Sequence, residues 1–259
     1  MTPLLEARAL SRRFGGLRAV DDLSFGVAAG EILGLIGPNG AGKTTVVNLV
    51  SGMIGPSGGR VTFDGRDVTG LAPSALARRG LVRTFQNTTV YARQTVRENA
   101  LRGSFMQAHP GFVHDFFGTA RARRLRAETA DRVAALLDDL GLLPLAGQVA
   151  GSLPYGTQKA LGIGIALATQ PRLIMLDEPV AGLSGEEANQ MRDVVLKVRK
   201  RGITVVVIDH NMRFISGLCD RVLVVHHGQE LAQGSPQEVL SSPAVIEAYL
   251  GRGHGAARY

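Results

Sequence analysis

The sequence predicts an α/β fold in which helices cover both faces of a mostly parallel β-sheet. Four short apolar segments, separated by helix-like or turn-rich stretches, carry this prediction, and they occupy residues 32–36, 173–176, 204–208 and 222–225. Short apolar runs without polar alternation are typical of strands that are buried on both sides. Polar groups that directly follow such strands are therefore expected to gather at the carboxyl edge of the sheet.

The N-terminal part of the chain predicts a second, antiparallel layer. Two strands near residues 5–10 and 23–27 are joined by a turn at Gly15 and Gly16, and another strand is expected at 59–63. These strands lie on either side of the first apolar segment in the sequence. We therefore expect the antiparallel layer to lie beside the strand at that segment.

The middle of the chain changes to helical periodicity. The further predicted elements are a helix at 73–79, a strand at 81–85, and helices at 95–102, 119–140, 185–201 and 212–217. We predict a single domain over residues 1–259, with a helical subdomain at about residues 87–165 inserted in its core.

The composition is that of an ordinary globular protein. Of the 259 residues, 45% are apolar, and no apolar run approaches the roughly 18 residues of a membrane span. The first residues include the acidic Glu6 and no long apolar centre, so no secretory signal is expected. The single cysteine, Cys219, excludes an internal disulfide framework, agrees with a reducing compartment and is expected in the core. These features together predict a cytoplasmic protein.

The net charge of +7 permits association with nucleic acid or an anionic membrane without establishing either. The densest basic cluster, on a predicted helix, consists of Arg121, Arg123, Arg124 and Arg126. No aromatic residues are interleaved with these arginines as stacking platforms for bases would be. The cluster therefore favours a solvated helix face.

The segment from Gly37 to Thr45, GPNGAGKTT, fits the phosphate-binding pattern G-x-x-x-x-G-K-[ST]. In such a loop, glycines let backbone N–H groups point at phosphate oxygens, and the following helix adds its positive N-terminal end. Lys43 is expected to reach the β- and γ-phosphates, and the Thr44 hydroxyl to bind Mg²⁺. The predicted nucleotide-binding residues of this loop are Gly37, Pro38, Asn39, Gly40, Ala41, Gly42, Lys43, Thr44 and Thr45.

Three polar side chains near strand ends predict the hydrolytic part of the site. Asp177 and Glu178 follow the strand LIML, and His210 follows TVVVID. Asp177 suits Mg²⁺, whereas Glu178 can orient and deprotonate a water for in-line attack on the γ-phosphate. His210 can hydrogen-bond the γ-phosphate or that water. Gln86, which opens the helical part, could contact Mg²⁺ or the attacking water and couple movement of the insertion to nucleotide state.

The order of these motifs over nearly the whole chain resembles that of an ABC transporter ATPase. The matching segments are GPNGAGKTT, Gln86, LPYGTQ, LIMLDEP and His210. More narrowly, RRFGGLRAVDDLSF, VRTFQ, DEPVAGL and AVIEAYLG look like the ATP-binding subunits of branched-chain amino acid importers, the LivG type. The resemblance implies a P-loop NTPase (RecA-like) core with an antiparallel β subdomain and an inserted α-helical subdomain. It also implies that Phe14 stacks on adenine, with Val20 beside it.

In this family two ATPase subunits close head to tail, and each nucleotide lies between one phosphate loop and the partner's signature segment. By the resemblance, the signature residues that act in trans are Leu153, Pro154, Tyr155, Gly156, Thr157 and Gln158. Pro154 stands where the family has a serine, and it offers no donor to the γ-phosphate. Gly156 and the N-terminus of the following helix can still face that phosphate. Further along, Gly162, Gly164 and Ile165 stand where the family has an acid, an alanine and an arginine.

The residues expected to bind this chain's own ATP are all present, whereas the segment offered to a partner is altered. We therefore predict a heterodimer with a related ATPase, in which the site built on Lys43 and Glu178 is at least as active as the other. A homodimer stays open. The family often has an aspartate at the position of Ser184, which follows the DEP motif. The contact that this position makes across the subunit interface therefore stays open as well.

The resemblance implies an enzyme that hydrolyses ATP with Mg²⁺ to energise import of branched-chain or related amino acids. It implies two transmembrane permease subunits, an indirect periplasmic solute-binding protein, and a peripheral position at the cytoplasmic face of the inner membrane. No nucleic acid partner is expected. Other solutes stay open, namely urea or short amides, or lipopolysaccharide for export. A non-transport ABC module is disfavoured, because the chain has one phosphate loop and no long coiled-coil insertion.

Overall fold

Ten strands and nine helices make up the part of the chain that the structure, a computed structural model, describes: residues 2–84, 90–104 and 120–250. The strands are β1 Leu5–Phe14, β2 Leu17–Val27, β3 Ile32–Ile36, β4 Gly58–Phe63, β5 Arg66–Asp67, β6 Leu81–Arg83, β7 Leu173–Asp177, β8 Thr204–Ile208, β9 Arg221–His226 and β10 Gln229–Gly234. The helices are α1 Lys43–Val50, α2 Pro73–Arg78, α3 Val96–Gly103, α4 Ala120–Asp139, α5 Tyr155–Leu167, α6 Gly185–Lys200, α7 Met212–Ser216, α8 Pro236–Leu240 and α9 Pro243–Leu250. Short 3₁₀ turns lie at Leu143–Leu145 and Ala150–Ser152.

The larger sheet has six strands in the order β10-β9-β3-β8-β7-β6. Its neighbours pair in parallel, except that β10 is antiparallel to β9. Every residue of β3 and β8 is buried, as their apolar sequences require. The predicted α/β class with a mostly parallel sheet is confirmed.

Alternate residues of β3 enter two different hydrophobic clusters. Ile32 and Ile36 pack with residues of α5 and α6, whereas Leu33 and Leu35 pack with α1 and the smaller sheet. Successive side chains on a strand point to opposite faces, so one five-residue strand contributes to both layers. The central strand thereby fixes the position of α1 and of the loop that precedes it.

Cys219 packs against the central strand, β3. A Cβ atom added to Gly34 of β3 would lie 3.0 Å from the Cys219 sulfur, so the glycine permits the close approach. Burial raises the pKa of the Cys219 thiol to about 12. The expectation that Cys219 is a small core residue is confirmed.

The smaller sheet is antiparallel, with the order β2-β1-β4-β5. Its first two strands form a hairpin that turns at Gly15, whose φ is +57°. Both strands are longer than their apolar segments predict. The register between them shifts beyond Ala7, Leu10 and Arg12, so the simple alternation of buried and exposed residues is interrupted. The expected antiparallel layer is confirmed, with longer arms.

The predicted helices are present, and each of their ends lies within one residue of the predicted range. In chain order, α3, α4 and α5 lie between β6 and β7, which are neighbours in the sheet. The assignment of residues 1–259 to one domain with an insertion at 87–165 stays a prediction. Within the described ranges, no helix has both the length and the apolar character needed to cross a membrane.

Several elements differ from the prediction. The strand predicted at 81–85 is observed as β6 with three residues, and Phe85 lies outside the described residues. The polar strand β10 and the helices α8 and α9 were not predicted. The sequence of β10, QELAQG, has only one strongly apolar residue because the strand is a largely exposed edge.

Ser184 caps α6 through a reciprocal pair of hydrogen bonds. The Glu187 backbone N–H donates to the Ser184 hydroxyl over 3.3 Å, and the Ser184 N–H donates to the Glu187 carboxylate over 2.9 Å. The hydrogen bonds that the Ser184 N–H and the Ser184 hydroxyl donate to the Glu187 carboxylate lower the pKa of Glu187. Ser184 therefore caps the start of α6, independently of any contact that it makes with a partner subunit.

Replacing this cap tests its contribution. We expect Ser184→Ala to lower the free energy of unfolding by about 1 kcal/mol, because an N–H at the start of α6 loses its acceptor. The matched variant Ser184→Asp keeps an acceptor and should stay close to the wild type. Urea unfolding of the three proteins gives the comparison, and equal stability of the alanine and wild-type proteins would contradict the prediction.

Candidate functional site

A pocket of about 500 Å³ lies at the carboxyl edge of the larger sheet. Residues from five separate parts of the chain line it, namely Phe14, Leu17, Arg18, Ala19, Asn39, Gly40, Ala41, Gly42, Lys43, Thr44, Thr45, Asp177, Glu178, Ile208, His227 and Gly228. The structure thus brings the GPNGAGKTT loop together with Asp177 and Glu178. Gln86 lies outside the described residues, so its predicted contacts stay a prediction.

Glycine backbone geometry shapes the phosphate loop. Gly37 has a φ of +152°, and a Cβ atom there would lie 2.1 Å from the Val225 carbonyl oxygen. Gly42 has a φ of +104° and a Cβ would lie 2.4 Å from the Ala19 carbonyl oxygen. At both positions the chain passes so close to another backbone segment that only glycine fits.

Helix α1 begins at the end of this loop without a side-chain cap. Its N-cap residue is Gly42, and its first turn contains no acidic residue. The first N–H groups of a helix have no partner inside the helix, and they carry partial positive charge. This helix end is therefore suited to hold an anion such as a phosphate group.

The ammonium group of Lys43 is bound to the loop itself. It donates to the carbonyl oxygens of Gly37 at 2.7 Å and Pro38 at 2.9 Å. Burial lowers the pKa of Lys43, and the charge of Glu178 opposes that shift. The lysine thus places a cation in the same pocket as the backbone N–H groups.

Asp177 forms an ion pair that was not predicted from the sequence. Arg83 Nη2 lies 2.7 Å from Asp177 Oδ2, and both side chains are largely buried. Arg83 Nη1 also donates to the Asn48 side chain at 2.6 Å and to the Ser51 hydroxyl at 3.3 Å. Arg83 therefore ties α1 to the carboxylate at the end of β7. The local sequence carries no signal for this pair, because it depends on the parallel pairing of β6 with β7, which are far apart in the chain.

The oxygen donors at this edge fit Mg²⁺. The Thr44 hydroxyl and the Asp177 carboxylate line the same pocket, and hard oxygen ligands are those that Mg²⁺ prefers. Among the described residues, no group of three His, Cys, Asp or Glu side chains could hold a metal ion by itself. A magnesium ion here would therefore need further oxygens from a phosphate group and water, as is usual for this ion.

Glu178 has an uncommon backbone conformation with a φ of +49°. Its N–H donates to the Ile208 carbonyl at 2.7 Å, and its carbonyl accepts from Lys159 Nζ at 2.9 Å. The side chain, about 30% exposed, carries its carboxylate to 3.8 Å from His210 Nδ1. Both predicted catalytic residues are therefore neighbours at one edge of the sheet.

The loop that carries His210 is held by a buried carboxylate. Asp209 Oδ1 accepts from the Asn211 N–H at 2.9 Å, and Asp209 Oδ2 accepts from the Val180 N–H at 3.3 Å. The Asp209 side chain is fully buried, whereas the His210 side chain is about 65% exposed. Asp209 thus links the segment after β8 to the segment after β7 and leaves the imidazole accessible.

The wall near Phe14 differs from the expected arrangement. The Phe14 ring is 46% exposed, with the Arg12 guanidinium 4.7 Å from its centroid. The Val20 side chain is fully buried in the core of the smaller sheet, whereas Leu17 lines the pocket. The Val20 side chain is therefore not exposed at the pocket, and its position beside the base stays a prediction.

The turn between β9 and β10 contributes a wall that the sequence analysis did not assign to the pocket. The Gly228 N–H donates to the Ala41 carbonyl at 2.8 Å, and the Asp21 N–H donates to the Gly228 carbonyl at 2.9 Å. His227, beside this glycine, lines the pocket.

The predicted signature residues 153–158 lie away from this pocket. Pro154 is the N-cap of α5, Tyr155 is exposed, and the Gln158 amide donates to the Leu153 carbonyl at 2.9 Å. Of these residues, all within the described chain, none lines the pocket. Their position is compatible with action on another molecule's nucleotide, which stays a prediction.

The glycines of α5 do not interrupt the helix. A Cβ atom at Gly164 would lie 3.2 Å from the Leu140 side chain, so this glycine permits close packing beside the end of α4. At the helix N-terminus, a Cβ at Gly156 would lie 3.1 Å from the Glu187 carboxylate. Close packing thus accounts for Gly164.

Two family models match the sequence. The model described as ABC transporter matches residues 20–181, and the model described as Branched-chain amino acid ATP-binding cassette transporter matches residues 229–255. The second region begins at β10, which is the part of the fold that the sequence analysis did not predict.

Characterised relatives span almost the whole chain. The high-affinity branched-chain amino acid transport ATP-binding protein LivG of Salmonella typhimurium is 42% identical over 250 residues, covering 96% of this chain and 98% of that protein. Its counterpart BraF of Pseudomonas aeruginosa is 38% identical over the same shares of the two chains. The lipopolysaccharide export system ATP-binding protein LptB of Acidithiobacillus ferridurans is 35% identical and covers 97% of this chain and 98% of that protein.

Solved structures agree in fold. An ATP-binding cassette of an ABC transporter in its ADP conformation has a TM-score of 0.84 and 32% identity, covering 97% of this chain and 100% of that chain. A nucleotide-free ATP-binding cassette has a TM-score of 0.83, with the same identity and coverage.

Alanine at two loop glycines separates backbone strain from steric conflict. We expect Gly42→Ala to weaken nucleotide binding more than about tenfold, because the new methyl group meets the Ala19 carbonyl at 2.4 Å. Gly40→Ala is the control. The φ of Gly40 is also positive, but no atom lies within 4 Å of an added Cβ, so only backbone strain remains and the free energy of nucleotide binding should weaken by about 1 kcal/mol.

Titration with a fluorescent ATP analogue measures both affinities, and thermal unfolding shows whether each variant folds. An equal loss of affinity in the two variants would show that the contact with Ala19 does not matter.

Proposed function

Because this chain belongs to the ABC transporter family of ATP-binding proteins, we propose that it hydrolyses ATP to energise the import of branched-chain amino acids. The observation that carries the hydrolytic part is the pocket that gathers the phosphate loop, Asp177 and Glu178, with His210 beside them. The solute class rests on the match at residues 229–255 and on the LivG and BraF relatives.

The chemistry follows from the positions of the side chains. When a triphosphate enters, the Lys43 ammonium can exchange the carbonyl oxygens of Gly37 and Pro38 for the β- and γ-phosphates. The N-terminus of α1 holds the same phosphates. Thr44 and Asp177 would hold Mg²⁺, which supplies neutralisation of phosphate charge.

The remaining residues act on the attacking water. The carboxylate of Glu178 orients the water and accepts its proton during in-line attack on the γ-phosphate. His210, whose ring is close to this carboxylate, hydrogen-bonds the γ-phosphate. Gln86 lies three residues after the end of β6. A contact of its amide with the nucleotide site would couple movement of the helical part of the chain to the state of the bound nucleotide.

Each composite site needs a second subunit. The segment LPYGTQ would face the nucleotide of that subunit, while Lys43 and Glu178 act on this chain's own nucleotide. Pro154 lacks a donor for the partner's γ-phosphate. We therefore favour a heterodimer on two permease subunits, at the cytoplasmic face of the inner membrane, supplied by a periplasmic binding protein.

Glutamine variants of the two subunits test this asymmetry. Glu178→Gln in this chain removes the carboxylate that accepts the proton but keeps the side-chain shape. We expect it to lower ATP turnover of the reconstituted transporter by about 100-fold or more, and the matching change in the partner to have an equal or smaller effect. Loss of turnover only with the partner's variant would contradict the asymmetry.

The solute is tested through the periplasmic binding protein of the same system. Leucine, isoleucine or valine should bind this protein and stimulate ATP turnover of the complete transporter, whereas urea and short amides should do neither. Stimulation by urea or short amides alone would contradict the import of branched-chain amino acids and would indicate those compounds as the solutes. Coupling to lipopolysaccharide release, or turnover that needs no permease, would favour the export or non-transport alternatives.

A further inference from the structure

A buried lysine connects the signature helix to the predicted catalytic glutamate. Lys159 lies in the second turn of α5, and the residue is only 6% exposed. Its Nζ donates to the Glu178 carbonyl oxygen at 2.9 Å. A buried ammonium group is costly unless its surroundings compensate for lost hydration, so this contact calls for an explanation.

Groups near Lys159 partly compensate for the lost hydration of its ammonium group. Its Nζ lies 5.3 Å from the centroid of the Tyr155 ring. Burial lowers the pKa of Lys159, whereas the charges of Asp209 and Glu178 oppose this shift. Asp209 is itself the buried carboxylate that holds the segments after β7 and β8 together. The ammonium therefore lies at the junction of α5 with both loops of the hydrolytic site.

The contact acts on a residue with little conformational tolerance. Glu178 has a positive φ, a conformation that persists only when the surrounding structure fixes it. Ile208 holds its N–H and Lys159 holds its carbonyl. The two bonds thus fix both peptide groups that flank the Glu178 side chain, and with them the direction in which its Cα–Cβ bond leaves the backbone.

We propose that Lys159 is a positioning residue, which sets the direction of the Glu178 carboxylate and ties it to the helix that begins at Pro154. The proposal rests on the hydrolytic function proposed above. Lys159 is about one helical turn from the N-terminus of α5, so a shift of that terminus against a partner's nucleotide moves the lysine as well. The occupancy of the partner's site is thereby transmitted to the catalytic glutamate of this chain.

The test uses three variants of the complete transporter. Lys159→Met keeps the long side chain and removes the donor, and Lys159→Arg restores a cationic donor. Lys200→Met, at the exposed end of α6, is the matched control. We expect Lys159→Met to lower kcat by about 10- to 100-fold, with the KM for ATP changed less than about twofold, because only the orientation of the general base is lost. The arginine variant should recover most of the rate, and the control should match the wild type.

A measurement independent of ATP turnover keeps the proposal separable from the proposed function. Hydrogen exchange of a peptide that spans residues 176–180 should become faster in Lys159→Met, while exchange of β8 and β9 stays unchanged. Unchanged exchange at 176–180, or a kcat equal to the wild type, would overturn the proposal. A loss of ATP affinity and thermal stability in step with the rate would also overturn it, because it would indicate a merely structural cation. If wild-type protein hydrolyses no ATP, the proposed function fails, and the exchange experiment still decides whether Lys159 positions Glu178.

Discussion

The parallel pairing of β3 with β8 on one side and β9 on the other is the constraint on which the site depends. Parallel strands end at the same edge of a sheet, so the segments that follow them meet there. The phosphate loop follows β3, His210 follows β8, and the His227 turn follows β9. Since β7 continues the same sheet beside β8, Asp177 and Glu178 arrive at this edge too. Burial of β3 on both faces makes this alignment rigid.

Three cations in or near the pocket have different partners. Lys43 donates to backbone carbonyl oxygens of the phosphate loop. Arg83 pairs with Asp177 at the end of β7, and Lys159 donates to the backbone carbonyl oxygen of Glu178. A buried ion pair contributes little net stability, because desolvation offsets its attraction, yet it specifies geometry well. These contacts therefore matter chiefly for where the carboxylates lie. An arriving nucleotide then meets groups whose positions are already set.

Local patterns were sufficient for the phosphate loop, the buried strands and the residues at their ends. Each of these signals is contained in a few consecutive residues, as in GPNGAGKTT or in LIML followed by Asp177 and Glu178. The pair of Arg83 with Asp177, and the contact of Lys159 with Glu178, depend on how distant segments pack. Val20 shows the same limit, since a register shift in the hairpin, not the local sequence, decides which side chains of β2 reach the pocket. The polar edge strand β10 offered no periodic pattern to detect.

The hydrogen bonds of Gly228 bear on how the pocket is made during synthesis. This residue closes the wall by contacting Ala41 and Asp21, and its neighbour Gln229 bonds the Asp21 side chain across 208 positions of sequence. Such long-range contacts form only after the intervening chain is available to fold. A nascent chain emerging from the ribosome would expose its entire phosphate loop long before the opposite wall exists. The pocket is therefore complete only after the C-terminal part of the polypeptide, which carries Gly228, has been translated.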